Sequence, residues 1–238
     1  MQIFRRLKPI HAISFDLDDT LYDNRPIILA AEAAQLAFLH QQFPESRHWG
    51  TAEWRHHKLE LMAKEPLLAH DPTRLRLATL RSGLKRLGLE SDDANRGAGA
   101  VMDEFLYHRS NFAVPEASIK VLRALSSRFT LIGLTNGNVD ADRIGLGELF
   151  AFVIKAGDGL KMKPHGDLFT LGCERLKVLP ENLLHVGDSH KADVAGALRA
   201  GCMAALLNPA QGQALAAPLQ SPLPHLCLPQ LQSLLGLL

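Results

Sequence analysis

The stretch IHAISFDLDDTL, residues 10–21, decides the fold. Its first half is a short apolar run that stops abruptly at three carboxylates, Asp16, Asp18 and Asp19. A run this short, partly β-branched and ended by a polar cluster, predicts a buried strand with carboxylates at its C-terminal end. The texture then changes. Residues 26–112 are rich in Ala, Leu, Glu, Arg and Gln and are punctuated by Pro44, Pro66 and Pro72. Good helix formers without β-branched clusters predict three or four helices there and no strand.

Beyond Val114-Pro115 the two periodicities alternate. The pattern predicts helices over 116–127, 140–150, 166–177 and 191–200, the last capped by Gly201. Strands are predicted over 129–134, 152–154, 183–186 and 203–207, the last closing a parallel sheet. The Leu-rich end, residues 231–238, predicts a terminal helix packed on its own domain, with a partner-binding helix as the alternative. Alternating strands and helices mean βαβ units. The expected class is therefore α/β: a Rossmann-like parallel sheet core with an inserted α-helical domain. The expected boundaries are 1–22 and 114–238 for the core and 23–113 for the helical insertion.

Composition excludes several classes. With 238 residues, 47% of them hydrophobic, the chain can bury a core, and disorder is not expected. A net charge of +1 argues against a nucleic-acid binder, which needs a dense basic face. No apolar run approaches the roughly 18 residues of a membrane span. The first residues, MQIFRRLKPIHAISF, lack the apolar region and small-residue cleavage site of a secretory signal. Cys173, Cys202 and Cys227 are odd in number and form no CxxC pair, which fits buried thiols in a reducing, cytoplasmic setting. Oligomeric state is left open.

In an open parallel sheet, ligands bind at the carboxyl ends of the strands, where strand order reverses. The residues immediately beyond the predicted strands are Asp16 and Asp18, Thr135 and Asn136, Lys163, then Asp188 and Asp193. Four carboxylates on one edge repel one another. A divalent cation and a fixed ammonium relieve that, and Mg²⁺ prefers a few hard oxygen ligands, leaving room for water and phosphate. Asp oxygens, Mg²⁺, a lysine and small donors are what phosphoryl transfer needs. The spacing Asp16-Leu17-Asp18 separates two roles. One carboxylate can attack phosphorus while the other delivers a proton to the leaving oxygen. A DxD alone is weak, since acidic pairs mostly belong to solvated turns.

Four motifs in order are stronger: Phe15-Asp16-Leu17-Asp18-Asp19-Thr20-Leu21, Leu134-Thr135-Asn136-Gly137-Asn138, Lys163-Pro164, and Val186-Gly187-Asp188 with Asp193. Together they resemble the signature of the haloacid dehalogenase-like hydrolase superfamily, over residues 10–207. The resemblance implies a Mg²⁺-dependent phosphatase that hydrolyses a small-molecule phosphate ester through an aspartyl-phosphate. It implies Asp16 as nucleophile and Asp18 as general acid and later base. Thr135 and Asn136 would hold the phosphoryl group, and Lys163 would balance charge there. Asp16, Asp18 (through its backbone carbonyl) and Asp188 would hold the metal, with Asp193 in support. Lys161 is a rival for the lysine role. The helical insertion matches the family's cap class, which closes over the site and reads the leaving group. DLDDTLYDNRP, residues 16–26, with TNGN and LHVGD, looks closest to bacterial phosphatases of flavin mononucleotide and of a riboflavin-pathway ribityl phosphate.

The rival readings are a phosphosugar mutase and a generalist sugar-phosphate or nucleotide phosphatase of the same superfamily. The halide-removing branch fits less well, because a halide leaving group needs no acid in the place of Asp18. A receiver-like phospho-Asp switch would place its metal-binding acidic pair a whole strand before the phosphorylated Asp. His56, His57 and His190 read as surface residues before metal ligands, and Arg25 as a solvated arginine before a phosphate contact. Trp49 and Trp54 read as core residues, with stacking on a planar substrate as the alternative.

Overall fold

The computed structural model describes residues 1–238. A seven-stranded sheet forms the centre: β1 (Gln2–Ile3), β2 (Ala12–Phe15), β3 (Thr130–Thr135), β4 (Val153–Lys155), β5 (Leu183–Gly187), β6 (Met203–Leu207) and β7 (Leu226–Leu228). Their order is β1-β7-β6-β5-β2-β3-β4. All neighbours are parallel except β1, which pairs antiparallel with β7. The expected α/β class with a Rossmann-like core is what the chain adopts. β2, β5 and β6 are buried throughout, which is why they read as apolar runs, broken only by Ser14 and His185, and not as alternating ones. From β2 the chain goes to β3 and β4 on one side, then returns to β5, β6 and β7 on the other. Strand order therefore reverses at β2, and its carboxyl end is the switch point.

By contacts the chain divides into two compact units. One comprises Met1–Arg25, Phe112–Gly137 and Ala141–Leu238, and contains the sheet. Its helices are α5 (Glu116–Ser126), α6 (Asp167–Leu176) and α7 (Ala195–Arg199). The other comprises Pro26–Asn111 and Asn138–Asp140 and is helical. It holds α1 (Arg25–Gln42) from Pro26 onward, α2 (Thr51–Lys64), α3 (Pro72–Arg86) and α4 (Ser91–Arg109). Asp71 caps α3 by accepting from the Arg74 backbone N–H at 2.8 Å. Leu39, Leu80, Leu84, Val101 and Phe105 form its core. Trp49 and Trp54 pack edge to face with ring centroids 4.9 Å apart, and Trp54 lies directly over Gly83. No helix is long and apolar enough to cross a membrane. Cys173, Cys202 and Cys227 are all buried and free.

Two expectations are corrected. Residues 140–150 form turns and no helix. Gly145 sits at φ +83°, so helical dihedrals cannot run through the segment. β6 is not the last parallel strand: β7, only Leu-Cys-Leu, lies beside it and is too short to declare itself in a Pro-rich tail. The expected terminal helix packed on its own domain is present: Leu231–Leu237 is a 3₁₀ helix, burying Leu231 and Leu234 against α5 and β7.

Candidate active site

Asp16 is the first residue past β2, and its backbone N–H donates to the Val186 carbonyl at 2.8 Å, which ties it to β5. The following residues curl at once. The Thr20 and Leu21 N–H groups donate to the Leu17 carbonyl, and Asp19 adopts φ +57°. The Asp19 carboxylate accepts from the Asn24 N–H at 2.9 Å, closing the loop. This turn leaves Asp18 accepting from the Tyr22 hydroxyl at 2.7 Å and Thr20 donating to Asp188 Oδ1 at 3.0 Å.

Lys163 is the electrostatic centre of the cluster. Its buried Nζ donates to Asp16 Oδ1 and to Asp193 Oδ1, both at 2.7 Å. Lys161, the rival, is exposed, and its backbone N–H is spent on Asp167 at 3.0 Å. Asn136 explains the placement: its Oδ1 accepts from the Lys163 N–H at 2.7 Å, and its Nδ2 donates to the Lys163 carbonyl at 2.9 Å. The Asn136 side chain thus clamps the lysine's backbone. Thr135, buried at the end of β3, accepts from the Gly137 N–H at 2.9 Å.

Asp193 follows from a local irregularity. After β5 the chain makes a π-helical turn, His190–Val194, before α7. The wider turn buries Asp193 behind Gly187. Its Oδ1 accepts from Lys163 and, at 3.1 Å, from His185 Nε2; its Oδ2 accepts from the Ser189 N–H at 2.9 Å. A Cβ on Gly187 would stand 2.2 Å from the Asp193 carboxylate carbon. Gly187→Ala should therefore displace that carboxylate, costing about 1–3 kcal/mol of stability by overpacking. Chemical denaturation, with activity measured on the folded fraction, checks both effects. His190 turns away from the carboxylates, its Nε2 lying 2.9 and 3.0 Å from the Gln220 and Pro222 carbonyls.

Burial pushes the Asp16 carboxyl well up, with Asp193 and Asp18 adding to it and Lys163 pulling it back. The Asp188 carboxyl is pushed up to about 6, first by burial and then by Asp193. Burial opposes ionisation of Asp193 as well, but Lys163 and His185 overcome it and hold that carboxyl well below its usual range. Burial alone would lower the Lys163 ammonium, yet the two aspartates hold it above its ordinary value. Carboxylate oxygens of Asp16, Asp188 and Asp193 lie within 4.8 Å of one another. One ammonium serves three clustered carboxylates, two of which resist ionising. An all-oxygen set with that charge deficit fits a hard divalent cation such as Mg²⁺. The Asp193 oxygens are already occupied, so Asp16 and Asp188 are the carboxylates fitted to hold it.

Two residues here escaped the sequence reading. Ser14 and His185 are fully buried, face each other across the β2–β5 register, and lie 2.9 Å apart from Oγ to Nδ1. Their signal was a lone polar residue inside an otherwise apolar buried strand.

The profile of the haloacid dehalogenase-like hydrolase family matches residues 10–201. The chain is 37% identical over 238 residues, all of both chains, to the 5-amino-6-(5-phospho-D-ribitylamino)uracil phosphatase YigB of Escherichia coli K12. It is 25% identical over 210 residues to a phosphoglycolate phosphatase of Escherichia coli O157:H7, covering 83% of this chain and 81% of that one. Among solved structures, a 2-haloacid dehalogenase from Pseudomonas syringae superposes with a TM-score of 0.88 at 34% identity, over 94% of this chain and 96% of that one. This chain belongs to the haloacid dehalogenase-like hydrolase family, as one of its phosphatases.

Proposed function

We propose that the chain hydrolyses a small-molecule phosphomonoester, a ribityl phosphate of the riboflavin pathway, with Mg²⁺ and through an aspartyl-phosphate on Asp16. The observation that carries the chemistry is the Lys163 ammonium held 2.7 Å from both Asp16 and Asp193, beside Asp188, at the sheet's switch point. The substrate reading rests on the full-length likeness to YigB. The all-helical insertion between β2 and β3 serves in this reading as the cap that selects the leaving group.

The steps follow from the residues. With Lys163 fixed on Oδ1, the other Asp16 oxygen attacks phosphorus in line, and the ester P–O bond breaks as the new one forms. Asp18 delivers a proton to the departing alkoxide oxygen. The Thr135 hydroxyl and Lys163 hold phosphoryl oxygens as charge shifts onto them. Asp18, now ionised, takes a proton from water, which displaces Asp16 and releases inorganic phosphate. Bound by Asp16 and Asp188, Mg²⁺ would draw charge from the phosphoryl oxygens.

Two outcomes test these assignments. Asp18→Asn should slow an alkyl phosphate by about 10²-fold or more, and an aryl phosphate, whose leaving group needs little protonation, much less. Equal losses on both would remove Asp18 from the acid role. Mg²⁺ should also raise the melting temperature, by the equivalent of about 2.7 kcal/mol at a hundredfold excess over its Kd. Chelator should reverse that gain and stop turnover, and Asp188→Asn should abolish the thermal shift.

For the substrate, the decisive experiment is phosphate release over a metabolite panel, ranked by kcat/KM. A dominant ribityl phosphate or flavin mononucleotide supports the reading. A flat profile makes the chain a generalist. The likeness to the Pseudomonas dehalogenase favours one other reading, and halide release from a 2-haloacid tests it. None is expected, because a halide leaves without taking a proton and has no use for the acid read at Asp18.

A further inference from the structure

Ser14 and His185 begin a chain of contacts that ends at Asp16, two residues from where it started. Ser14 lies on β2, two residues before Asp16. Its Oγ is 2.9 Å from His185 Nδ1 on β5, and His185 Nε2 is 3.1 Å from Asp193 Oδ1. That same oxygen takes Lys163 Nζ at 2.7 Å, which returns to Asp16 at 2.7 Å. Proton bookkeeping assigns every role. Asp193 only accepts, so His185 Nε2 carries a hydrogen; burial pushes the imidazole's pKa down to about 4, so Nδ1 is the acceptor and Ser14 donates to it. The imidazole is neutral and fully satisfied. Phe169 stands edge-on against it, with centroids 4.9 Å apart and planes at 88°, which fixes the ring's plane.

Burying a hydroxyl and an imidazole inside two apolar strands is unfavourable compared with aliphatic residues that need no partners. Their effect is geometric. The Ser189 N–H holds the other carboxylate oxygen, Oδ2, at 2.9 Å, but without His185 the Oδ1 that meets Lys163 would depend on the lysine's flexible stem. A second, rigid donor from the sheet pins that oxygen, and the pinned oxygen pins the ammonium.

We propose that Ser14 and His185 are positioning residues, a neutral strut that fixes Asp193 and thereby holds Lys163 on Asp16 in the orientation for phosphoryl transfer. The inference rests on the reading of Asp16 as nucleophile.

The test measures kcat and KM on an aryl phosphate at saturating Mg²⁺, with thermal melts, for Ser14→Ala, His185→Leu, His185→Gln and the double variant Ser14→Ala/His185→Leu. His185→Leu should lower kcat by about 10–100-fold with KM little changed, the range for groups that orient a reacting side chain. His185→Gln, whose amide can still donate toward Asp193, should recover part of that loss. Ser14→Ala should lose less than His185→Leu, and the double variant should be no slower than His185→Leu, since both act in series on one oxygen. Wild-type kcat in folded His185→Leu, no recovery in His185→Gln, or additive losses would each overturn the strut. If His185→Leu does not fold, Ser14→Ala decides, and an unchanged kcat overturns the proposal. Asp16→Asn separates the two layers. Turnover in that variant removes the nucleophile reading and the strut with it, whereas an inactive Asp16→Asn beside a fully active His185→Leu removes the strut alone.

Discussion

Asp16→Asn is expected to lose turnover of an aryl phosphate by about 10⁴-fold or more while remaining folded, the scale on which removal of a covalent nucleophile is felt. Asn keeps the shape of the side chain, and its oxygen can still accept from Lys163 Nζ. It lacks the anionic oxygen that must bond to phosphorus. Burial already opposes the charge at this position, so the neutral amide should cost little stability and can even add some. Loss of activity with an intact melt is therefore the signature. It is checked by steady-state kinetics beside circular dichroism, and by the absence of hydroxylamine-labile phosphate on the acid-quenched variant. Retained turnover would take the nucleophile role from Asp16.

Lys163→Met should fail in a different way. The methionine is close in volume, but it leaves the buried carboxylates of Asp16 and Asp193 without the cation they share. Removing one partner of a buried ion pair costs about 3–5 kcal/mol, because the remaining charge is stranded. Urea denaturation should show that loss. Adding Asp193→Asn should recover part of the stability, since one stranded charge disappears, but none of the activity. Asp16→Asn and Lys163→Met thus separate chemistry from charge balance: the first is stable and inactive, the second unstable and inactive. A Lys163→Met protein as stable as the parent would mean that the carboxylates are not ionised together in the fold.

Much of this was legible in the chain. The run ending at Asp16 reads as a strand because residues 10–15 are mostly apolar and end abruptly, and β2 is that strand. The positions past β3 and β5 follow from the same rule, so Thr135 and Asp188 could be picked by place before any chemistry was considered. The segment 140–150 misled because apolar residues at helical spacing hid two glycines, one of them held at positive φ. β7 was hidden by its three-residue length.

Local spacing determined the sheet, the helical insertion, and the order in which carboxylates, hydroxyl and lysine reach one edge. These depend on periodicity and turn chemistry, which neighbouring residues carry among themselves. Tertiary structure alone decided that the Asn136 side chain clamps Lys163, that Asp193 is buried and fully bonded, and that Ser14 meets His185. Those two are 171 residues apart and touch only because β2 and β5 pair in one register. Lys163 reaches Asp16 across 147 residues, because Asn136 at the end of β3 grips its backbone. Contacts of that kind are set by strand register and loop path. No window of the chain contains both partners.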